Sequence, residues 1–447
     1  MADNDIVISA GSIGDIKLPK EEIKEFILEL FKVAEGHDSP KHKHIYNFFG
    51  GDKPRNEFHH LDAHQVATYL KCLKEVIDRD YEVIEIINYS PDCSTEIPVR
   101  YLEFNTCFDI KEPLIIEGGI FIQHKELGYK YVICMESFID GAVNIELEVF
   151  FNPAKTNFKN LWDVVEEYFE TEGPLVGQKI NAVWDFVKYE SSNWNDIIIN
   201  ENLQKLLNRN IVNYIPLIDE YAKRNLPTSR GVLITGPPGT GKTLCCKTVM
   251  SMVDCTAIYV TSDTIENVGD IKRTYELAKR LSPSIVIIED IDTLGGLDRR
   301  ELGGNHPLLG EFLNCLNGVG SNSGVITIAT TNFPQHLDAA IADRPGRFDL
   351  RLEFNLPDEE QRLHILTKYI KDVEHENINF KSISKKTKDL SGAYLREIVM
   401  TSYMIATEEK TIINNKIIEM ALSSVREMRG KILKDYGVVK TSEVNYG

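Results

Sequence analysis

The stretch that decides the fold of the C-terminal half is Gly236-Pro237-Pro238-Gly239-Thr240-Gly241-Lys242-Thr243. It has the spacing G-x-x-x-x-G-K-[ST], which is typical of a phosphate-binding loop between a strand and a helix. Both neighbours fit this context, because residues 231–235 are apolar and LCCKTVMSMV, which begins at Leu244, has a helical pattern. The sequence therefore predicts a strand–loop–helix unit that binds nucleotide phosphates.

Each residue type in this loop has a physical role. Glycines let backbone N–H groups converge on phosphate oxygens, and the helix N-terminus that follows adds partial positive charge. Lys242 would neutralise the β- and γ-phosphates, and the hydroxyl of Thr243 would bind Mg²⁺. The predicted nucleotide-binding residues of the loop are Gly236, Pro237, Pro238, Gly239, Thr240, Gly241, Lys242, Thr243 and Leu244.

A pair of carboxylates follows the next strongly apolar segment. Residues 285–288 (IVII) predict a buried strand, and Glu289 and Asp290 stand at its C-terminal end, where ligands bind in α/β sheets. By position, Glu289 would hold Mg²⁺ and Asp290 would orient and deprotonate the attacking water. Taken alone, the pair could also be an acidic turn exposed to solvent.

Alternating apolar strands and helical stretches continue from residue 230, with strands predicted at 257–261, 284–288 and 324–330. This alternation favours an α/β fold in which helices cover both faces of a parallel sheet. Residues 359–430 have helical patterns, which predicts a helical lid after the sheet.

The N-terminal part predicts an α+β domain with an antiparallel sheet. Helices are predicted from Pro19 to Phe31, at 61–78 and at 158–170. Glu117-Gly118-Gly119 and Asp140-Gly141 are turn signals between or within the strands. The predicted strands are Tyr81–Tyr89, Pro98–Phe108, Leu114–His124, Tyr129–Met135 and Asn144–Phe151.

These patterns divide the chain into four predicted segments. The N-terminal domain spans 1–185, the large α/β subdomain 186–357, the helical lid 358–432 and a C-terminal tail 433–447. The aromatic residues of the N-terminal domain are predicted mainly as sheet core. An exposed patch among them that binds a client is the alternative.

Charge and composition exclude several classes of protein. The chain has 447 residues and a net charge of −18. Its first 190 residues contain 19 basic and 35 acidic residues, a net charge of −16, which disfavours nucleic acid as a partner. We see no signal peptide and no apolar run long enough for membrane insertion. Eight cysteines without a repeating spacing favour a reducing, cytoplasmic environment.

Further motifs show a resemblance to a known family. Thr330-Thr331-Asn332 and the stretch Leu337–Asp349 (LDAAIADRPGRFD) are similar to sensor 1 and to the second region of homology in the AAA family of AAA+ ATPases. The resemblance covers residues 194–430 and implies Mg²⁺-dependent ATP hydrolysis in a P-loop AAA+ module. It implies that Asn332 helps to place the water. It also implies that Arg344 and Arg347 act as arginine fingers toward a neighbouring subunit in a homo-oligomeric, hexameric ring.

The same resemblance implies contacts to the rest of the nucleotide. Asp196 and Ile197 correspond to the segment beside the adenine, and Gly392 and Ala393 to the start of a lid helix that contacts the nucleotide. Tyr369 falls where many members have a histidine near the base.

Two motifs depart from the usual pattern of the family. The acidic pair is Glu289-Asp290 instead of Asp-Glu, as in soluble bacterial relatives of the mitochondrial translocase that exports the Rieske protein, so the two roles could be exchanged. In the pore loop, Asn267 replaces an aromatic residue and Val268 follows it. A weaker grip on a threaded polypeptide is expected, because an aromatic side chain buries more area. Gly303-Gly304 is assigned either to a second pore loop or to a surface turn.

The sequence is compatible with two functions. The first is remodelling or translocation of a protein client that the acidic N-terminal domain selects. The second is a nucleotide-gated assembly or regulatory module without threading. A nucleic-acid motor is disfavoured by charge.

Two groups of residues outside these motifs also have two possible interpretations. His59, His60 and His64 are considered as metal ligands but are more typical of surface or core-edge histidines. Cys245 and Cys246 are predicted to be small core residues, with a redox switch as the alternative.

Overall fold

The structure is a computed structural model that describes residues 5–9, 15–19, 39–154, 160–265, 267–293, 311–312, 315, 323–334 and 348–435. Side chains are described within these ranges from residue 39 to residue 430. The chain forms two compact units, Met1–Pro174 and Leu175–Gly447, referred to below as the N-terminal and C-terminal domains. Within the described ranges, no helix is both long enough and apolar enough to cross a membrane.

The N-terminal domain is an antiparallel sheet with helices on its faces. Strands β1 and β2 pair with each other, and the remaining strands form a sheet of order β3-β9-β8-β7-β4-β5, with β6 paired to β7. Its elements are β1 (Asp5–Ser9), β2 (Asp15–Pro19), α1 (Pro40–Phe48), β3 (Arg55–Leu61), α2 (Ala63–Asp80), β4 (Tyr81–Tyr89), β5 (Glu96–Ile97), β6 (Arg100–Cys107), β7 (Ile110–His124), β8 (Lys130–Asp140), β9 (Ala142–Phe151) and α3 (Leu161–Thr171).

Helix α2 packs on the sheet because its apolar residues repeat at helical spacing. The Gln65 side chain accepts a hydrogen bond from the backbone N–H of Asp62 (3.1 Å), which fixes the start of the helix. Val66, Leu73 and Val76 are buried. A second cluster, which includes Ile45 of α1, contains Phe121 and Val132 of the sheet.

Helix α2 and strands β4, β6, β7, β8 and β9 confirm the predicted helix at 61–78 and the five predicted strands. The turn signal at Glu117-Gly118-Gly119 does not interrupt the chain's pairing, because these residues lie inside β7. Gly118 has φ +152°, and a Cβ atom there would lie 3.3 Å from the Val99 side chain, so glycine permits a close packing contact within the strand. Pro19 ends β2, and the remainder of the predicted first helix lies outside the described residues.

The C-terminal domain alternates strands and helices and ends in a run of helices. Its elements are β10 (Lys179–Asn181), α4 (Glu201–Leu207), α5 (Ile218–Lys223), β11 (Arg230–Thr235), α6 (Lys242–Met252), β12 (Thr256–Val260), α7 (Val268–Arg280), β13 (Ser284–Ile288), β14 (Val325–Thr331), β15 (Leu350–Glu353), α8 (Glu359–Ile370), α9 (Phe380–Lys386), α10 (Gly392–Glu408) and α11 (Asn415–Asp435).

Strands β10 to β15 form a parallel sheet of order β10-β12-β13-β14-β11-β15. Strand β14 lies between β13 and β11, so the carboxyl ends of these three strands meet at one edge of the sheet. Every residue of β13 and β14 is buried. This confirms the predicted α/β fold with a parallel sheet.

Helices α8 to α11 form a separate core that includes Leu366, Leu395, Ile398, Ile417 and Ala421. They confirm the helical stretch predicted after the sheet. Helix α11 continues to Asp435, so it passes the predicted end of the lid at residue 432.

The predicted end of the N-terminal domain at residue 185 is too late in the chain. Strand β10 pairs in parallel with β12 of the second sheet. The buried Lys179 Nζ donates hydrogen bonds to the carbonyls of Val253 (2.9 Å) and Cys255 (2.7 Å). The C-terminal domain therefore begins at Leu175.

Candidate nucleotide-binding site

The glycine-rich loop connects β11 to α6 in a conformation that requires glycine. Gly236 has φ +150°, and a Cβ atom there would lie 2.1 Å from the carbonyl oxygen of Phe354. Gly239 has φ +76°, and a Cβ atom there would lie 2.7 Å from Ser391 Oγ. Both contacts are too close for any side chain, so the backbone itself forms the surface of the loop.

Helix α6 begins directly after the loop. Gly241 adopts the left-handed conformation at its N-cap, with φ +97°. The Thr240 hydroxyl donates to the carbonyl of Pro237 (2.8 Å) and closes the loop. Pro237, Pro238 and Thr243 are exposed at this helix N-terminus, as is Leu244. The backbone N–H groups at the start of α6 can therefore bind an anionic ligand, and the side chain of Thr243 is exposed beside them.

Lys242 is held inside the site, with 6% of its surface exposed. Its Nζ donates to the carbonyls of Gly236 (2.8 Å) and Pro237 (3.0 Å) and to Oδ1 of Asn332 (2.7 Å). Burial lowers the pKa of the Lys242 ammonium from its ordinary value, and the carboxylate of Asp290 opposes this shift. The lysine therefore links the loop to the end of β14.

Asp290 completes this chain of hydrogen bonds, because Nδ2 of Asn332 donates to its Oδ1 (3.0 Å). The backbone N–H of Asp290 donates to the hydroxyl of Thr330 (2.9 Å), which fixes the residue after β13. Burial raises the pKa of the Asp290 carboxyl, the nearby charges of Asp292 and Glu289 add to the rise, and Lys242 opposes it. The predicted residues Lys242, Asn332 and Asp290 thus come together.

Glu289 occupies a different position from Asp290. Its backbone N–H donates to the carbonyl of Val260 (3.0 Å) at the end of β12. Its Oε1 is buried with no hydrogen-bond partner among the described residues. The Tyr259 hydroxyl lies beside it, and burial together with this carboxylate raises the pKa of Tyr259. A buried carboxylate oxygen without a donor fits a cation ligand, so Glu289 suits Mg²⁺.

The lid reaches the loop through the start of α10. The backbone N–H of Ala393 donates to the carbonyl of Gly239 (3.1 Å), and Gly392 lies against the same carbonyl. Ser391 Oγ is buried with no hydrogen-bond partner among the described residues. The structure thus brings Gly392 and Ala393 to the phosphate loop.

A cleft of about 410 Å³ continues from the loop between the sheet and the lid. Thr240, Gly392 and Ile365 are among its lining residues. Ile197 is buried in the adjoining core, and the carbonyl of Asp196, at the end of a short helical turn (Trp194–Asp196), accepts a hydrogen bond from Lys368. Tyr369 is not among the residues that line the cleft, and its ring lies 5.9 Å from the Arg396 guanidinium.

Several predicted residues lie outside the described part of the chain: Arg344, Arg347 and Gly303-Gly304. At the end of the second region of homology, Oδ2 of Asp349 accepts a hydrogen bond from the N–H of Gly231 (3.0 Å) and so fixes the start of β11.

The pore-loop position has a local structural role. Asn267 is the N-cap of α7, and its Oδ1 accepts a hydrogen bond from the N–H of Gly269 (2.9 Å). Oδ2 of Asp270 accepts one from the N–H of Asn267 (2.9 Å). Val268 remains exposed. The side chain that replaces the aromatic residue therefore bonds to its own helix.

The other candidate residues have local partners. The ring of His59 stacks on Trp162 at 4.1 Å, and His60 Nε2 lies 3.2 Å from Asp62. No group of three or more His, Cys, Asp or Glu residues that could hold a metal occurs in the described parts of the chain. Cys245 and Cys246 are fully buried in the core, as predicted, and burial raises the pKa of Cys245 to about 12.

Sequence reasoning did not assign Tyr259 and Ser391 to the site. Tyr259 stands inside a strand, where an aromatic residue predicts core packing. Ser391 directly precedes Gly392 and Ala393, and only those two residues were assigned to the nucleotide contact.

The fold and the site define a P-loop nucleotide-binding module with a helical lid. Residues 232–356 match the family model described as "ATPase family associated with various cellular activities (AAA)". Residues 232–356 are therefore similar to the ATPase domain of the AAA family.

Relatives of this domain include ATP-dependent zinc metalloproteases named FtsH. The protein from Mycoplasmopsis synoviae (strain 53) is 31% identical over 242 residues, which cover 52% of this chain and 36% of that protein. The protein from Borreliella burgdorferi (strain ZS7) is 32% identical over 270 residues, which cover 57% and 41%, respectively. The chain thus spans well under half the length of these relatives.

A similar solved structure is described as "Structural Basis for Katanin Self-Assembly". It is 25% identical with a TM-score of 0.44, and the match covers 52% of this chain and 85% of that chain.

Proposed function

We propose that the protein hydrolyses ATP in a Mg²⁺-dependent reaction and uses the energy to remodel or translocate a protein client. The observation that carries this proposal is the chain of hydrogen bonds from Lys242 through Asn332 to Asp290. It joins a phosphate-binding cation, a polar amide and a carboxylate at the carboxyl edge of the parallel sheet. This combination suits phosphoryl transfer to water.

The chain's own residues divide the work as follows. Lys242 and the backbone N–H groups of the loop bind the phosphates. Asp290 accepts a proton from the attacking water, and Asn332 holds both the water and the Asp290 carboxylate in position. Thr243 and Glu289 are the residues that would hold Mg²⁺, which supplies charge neutralisation at the phosphates when it is bound.

We further propose that hydrolysis takes place in a homo-oligomeric ring, with six subunits as the expected number. Arg344 and Arg347 would reach the γ-phosphate bound by the neighbouring subunit and stabilise the charge of the transition state. Each hydrolysis event would then change one subunit interface.

The N-terminal domain is proposed to select the client. Met1–Pro174 contains 33 acidic and 17 basic residues, a net charge of −16. This charge favours a basic protein segment and disfavours nucleic acid.

A nucleotide-gated assembly without threading is the second candidate. It is favoured by the side chain of Asn267, which caps α7 at the position where threading relatives carry an exposed aromatic residue. In this case ATP binding alone would control assembly or a partner. Whether ATP hydrolysis is required separates the two candidates.

The first test is a client capture with Asp290→Asn, which should bind ATP without hydrolysing it. The variant is loaded with ATP or ADP in native cell extract, and bound protein and nucleic acid are both identified. Lys242→Ala, which should fail to retain ATP, is the matched control. A protein enriched only in the ATP-loaded Asp290→Asn sample is then purified, and its effect on wild-type turnover is measured.

Remodelling predicts that the captured protein raises wild-type turnover and is changed only when ATP is hydrolysed. If ATP produces self-assembly alone, with no third component, the threading proposal fails and the gated assembly takes its place.

A further inference from the structure

The outer edge of strand β4 is largely unpaired in the part of the chain that the structure describes. Over Tyr81–Ile87, β4 pairs with β7 on one side. On the other side, β5 pairs with only Asn88 and Tyr89. Pro98 follows β5, and its carbonyl accepts a hydrogen bond from Asn88 Nδ2 (3.1 Å). The next strand, β6, pairs with β7 instead of β4. Across the described ranges, no strand pairs with the outer side of Tyr81–Ile87. Such an edge can accept another strand.

The two faces of this edge differ in chemistry. The pairing register places Val83 and Ile86 on one face of the sheet and Glu82 and Glu85 on the other. Val83 is 41% exposed and Ile86 is 42% exposed, although both are aliphatic. Ile84, at the irregularity in the register, is 49% exposed. A strand added here would meet an apolar face on one side and an acidic face on the other.

The apolar face continues into a groove of about 230 Å³. Helix α2, strand β4 and the β6–β7 hairpin form its walls. Tyr101 of the hairpin is 54% exposed beside it. The groove is lined by residues that include Leu73, Ile77, Val83, Ile86, Tyr101 and Leu114. Alternate side chains of an added strand would enter this groove.

The acidic face and the charge of the domain specify the other side chains of the occupant. Glu85 accepts a hydrogen bond from His44 (2.9 Å), and Glu82 lies on the same face. The whole domain has a net charge of −16. Lysine or arginine at alternate positions would therefore be attracted, whereas acidic residues would be repelled.

We propose that the outer edge of β4 binds an extended protein segment of alternating apolar and basic residues as an added strand. The identification of this segment as part of a client rests on the proposed function. The irregularity at Ile84 divides the edge into two short ladders, so side-chain contacts in the groove contribute to affinity along with backbone hydrogen bonds.

The opposite edge of the sheet offers a matched control. Strand β3 also lies at an edge and carries Phe58, which is 70% exposed. Helix α3 lies beside this edge, because His59 stacks on Trp162 and Asn160 donates a hydrogen bond to Glu57. Phe58→Thr therefore removes an exposed apolar residue from an edge strand without altering the proposed docking site.

The test measures binding of a fluorescent heptapeptide that alternates lysine and valine to the full-length protein. We expect saturable binding, and at least tenfold weaker binding by the double variant Val83→Thr/Ile86→Thr. Phe58→Thr should remain within twofold of the wild type. A peptide N-methylated at alternate residues should lose a similar factor on wild-type protein, because it cannot complete the ladder; this comparison holds even if the double variant misfolds.

Equal binding of the N-methylated peptide, or of a peptide of the same composition with its lysines clustered, would overturn the proposal, because charge alone would then explain binding. Absence of peptide binding would overturn it too. If sedimentation then showed that the double variant has lost self-association, the edge would be assigned to a second copy of the chain.

ATP turnover is measured in the same samples. Turnover without peptide binding would contradict this inference alone, and peptide binding without turnover would contradict the proposed function alone.

Discussion

At the residue scale, the backbone of Asp290 is held in an unusual conformation. Asp290 has φ +44°, in the left-handed region that non-glycine residues rarely adopt. Its carbonyl accepts hydrogen bonds from the N–H (2.6 Å) and the hydroxyl (2.8 Å) of Thr293. These contacts offset a backbone cost of about 1 kcal/mol and direct the carboxylate to Asn332.

Replacing Asp290 with asparagine tests its assignment as the residue that activates water. Asp290→Asn keeps the shape of the side chain but cannot accept the proton. Turnover should fall by about 10²- to 10⁴-fold while ATP binding remains. Steady-state turnover and nucleotide binding are compared with Asp254→Asn, a change at an exposed aspartate. Near-normal turnover of Asp290→Asn would transfer the role to Glu289.

Gly236→Ala tests the close contact between the loop and the segment after β15. The new Cβ would lie 2.1 Å from the Phe354 carbonyl, so the free energy of unfolding should fall by about 2 kcal/mol or more. Gly177→Ala, at φ +73° with nothing within 4 Å, should cost about 1 kcal/mol. Urea unfolding of both variants measures the difference. Equal losses would show that the clash is relieved at no cost.

At the scale of single elements, the start of α7 depends on the Asn267 cap. Asn267→Ala should lower the free energy of unfolding by about 1 kcal/mol, because the N–H of Gly269 loses its acceptor. Asn267→Asp should preserve stability, since aspartate also caps helices.

Urea unfolding and client processing, both measured on Val268→Ala, separate the role of this residue in stability from its role in function. Val268 is exposed, so its truncation should leave the unfolding midpoint unchanged. If the pore threads a polypeptide, this variant should slow client processing, and full processing would favour the gated assembly.

An element could be predicted from the sequence where its hydrophobic pattern is strong. Strands β13 and β14 were predicted because continuous apolar runs mark fully buried parallel strands. Strand β3 (RNEFHHL) was not predicted, because it has no apolar alternation and is stabilised by pairing with β9. Strand β10 has only three residues, and the context that makes it a strand is its pairing with β12.

At the scale of the whole molecule, the site depends on strand order. The sequence motifs identified Lys242, Asp290 and Asn332 separately and assigned each a role. Their hydrogen bonds require β14 to lie between β13 and β11, and this order depends on tertiary packing that the motifs do not specify. The contact of Ala393 with Gly239 likewise depends on how the lid packs on the sheet.

A ring mechanism makes a prediction about mixtures of two inactive proteins. Arg347→Ala should bind ATP through its intact loop but hydrolyse it at least 10³-fold more slowly, because the arginine finger is missing. Lys242→Ala should also fail to turn over ATP, because its own loop cannot hold the phosphates although its Arg347 is intact. In a mixed ring, an Arg347→Ala subunit can receive Arg347 from a Lys242→Ala neighbour. Partial turnover should therefore appear on mixing, and this is measured against total subunit concentration.

The dependence of turnover on the mixing ratio distinguishes an active site shared between subunits from contamination by an active ATPase. If sites form between neighbours, turnover must peak at intermediate mixing ratios and vanish at both ends, because every active interface requires one subunit of each kind. The double variant Lys242→Ala/Arg347→Ala, mixed with Arg347→Ala, is the control and should remain inactive. Mixtures that stay inactive at every ratio, with assembly confirmed by sedimentation, would mean that Arg347 does not act across a subunit interface.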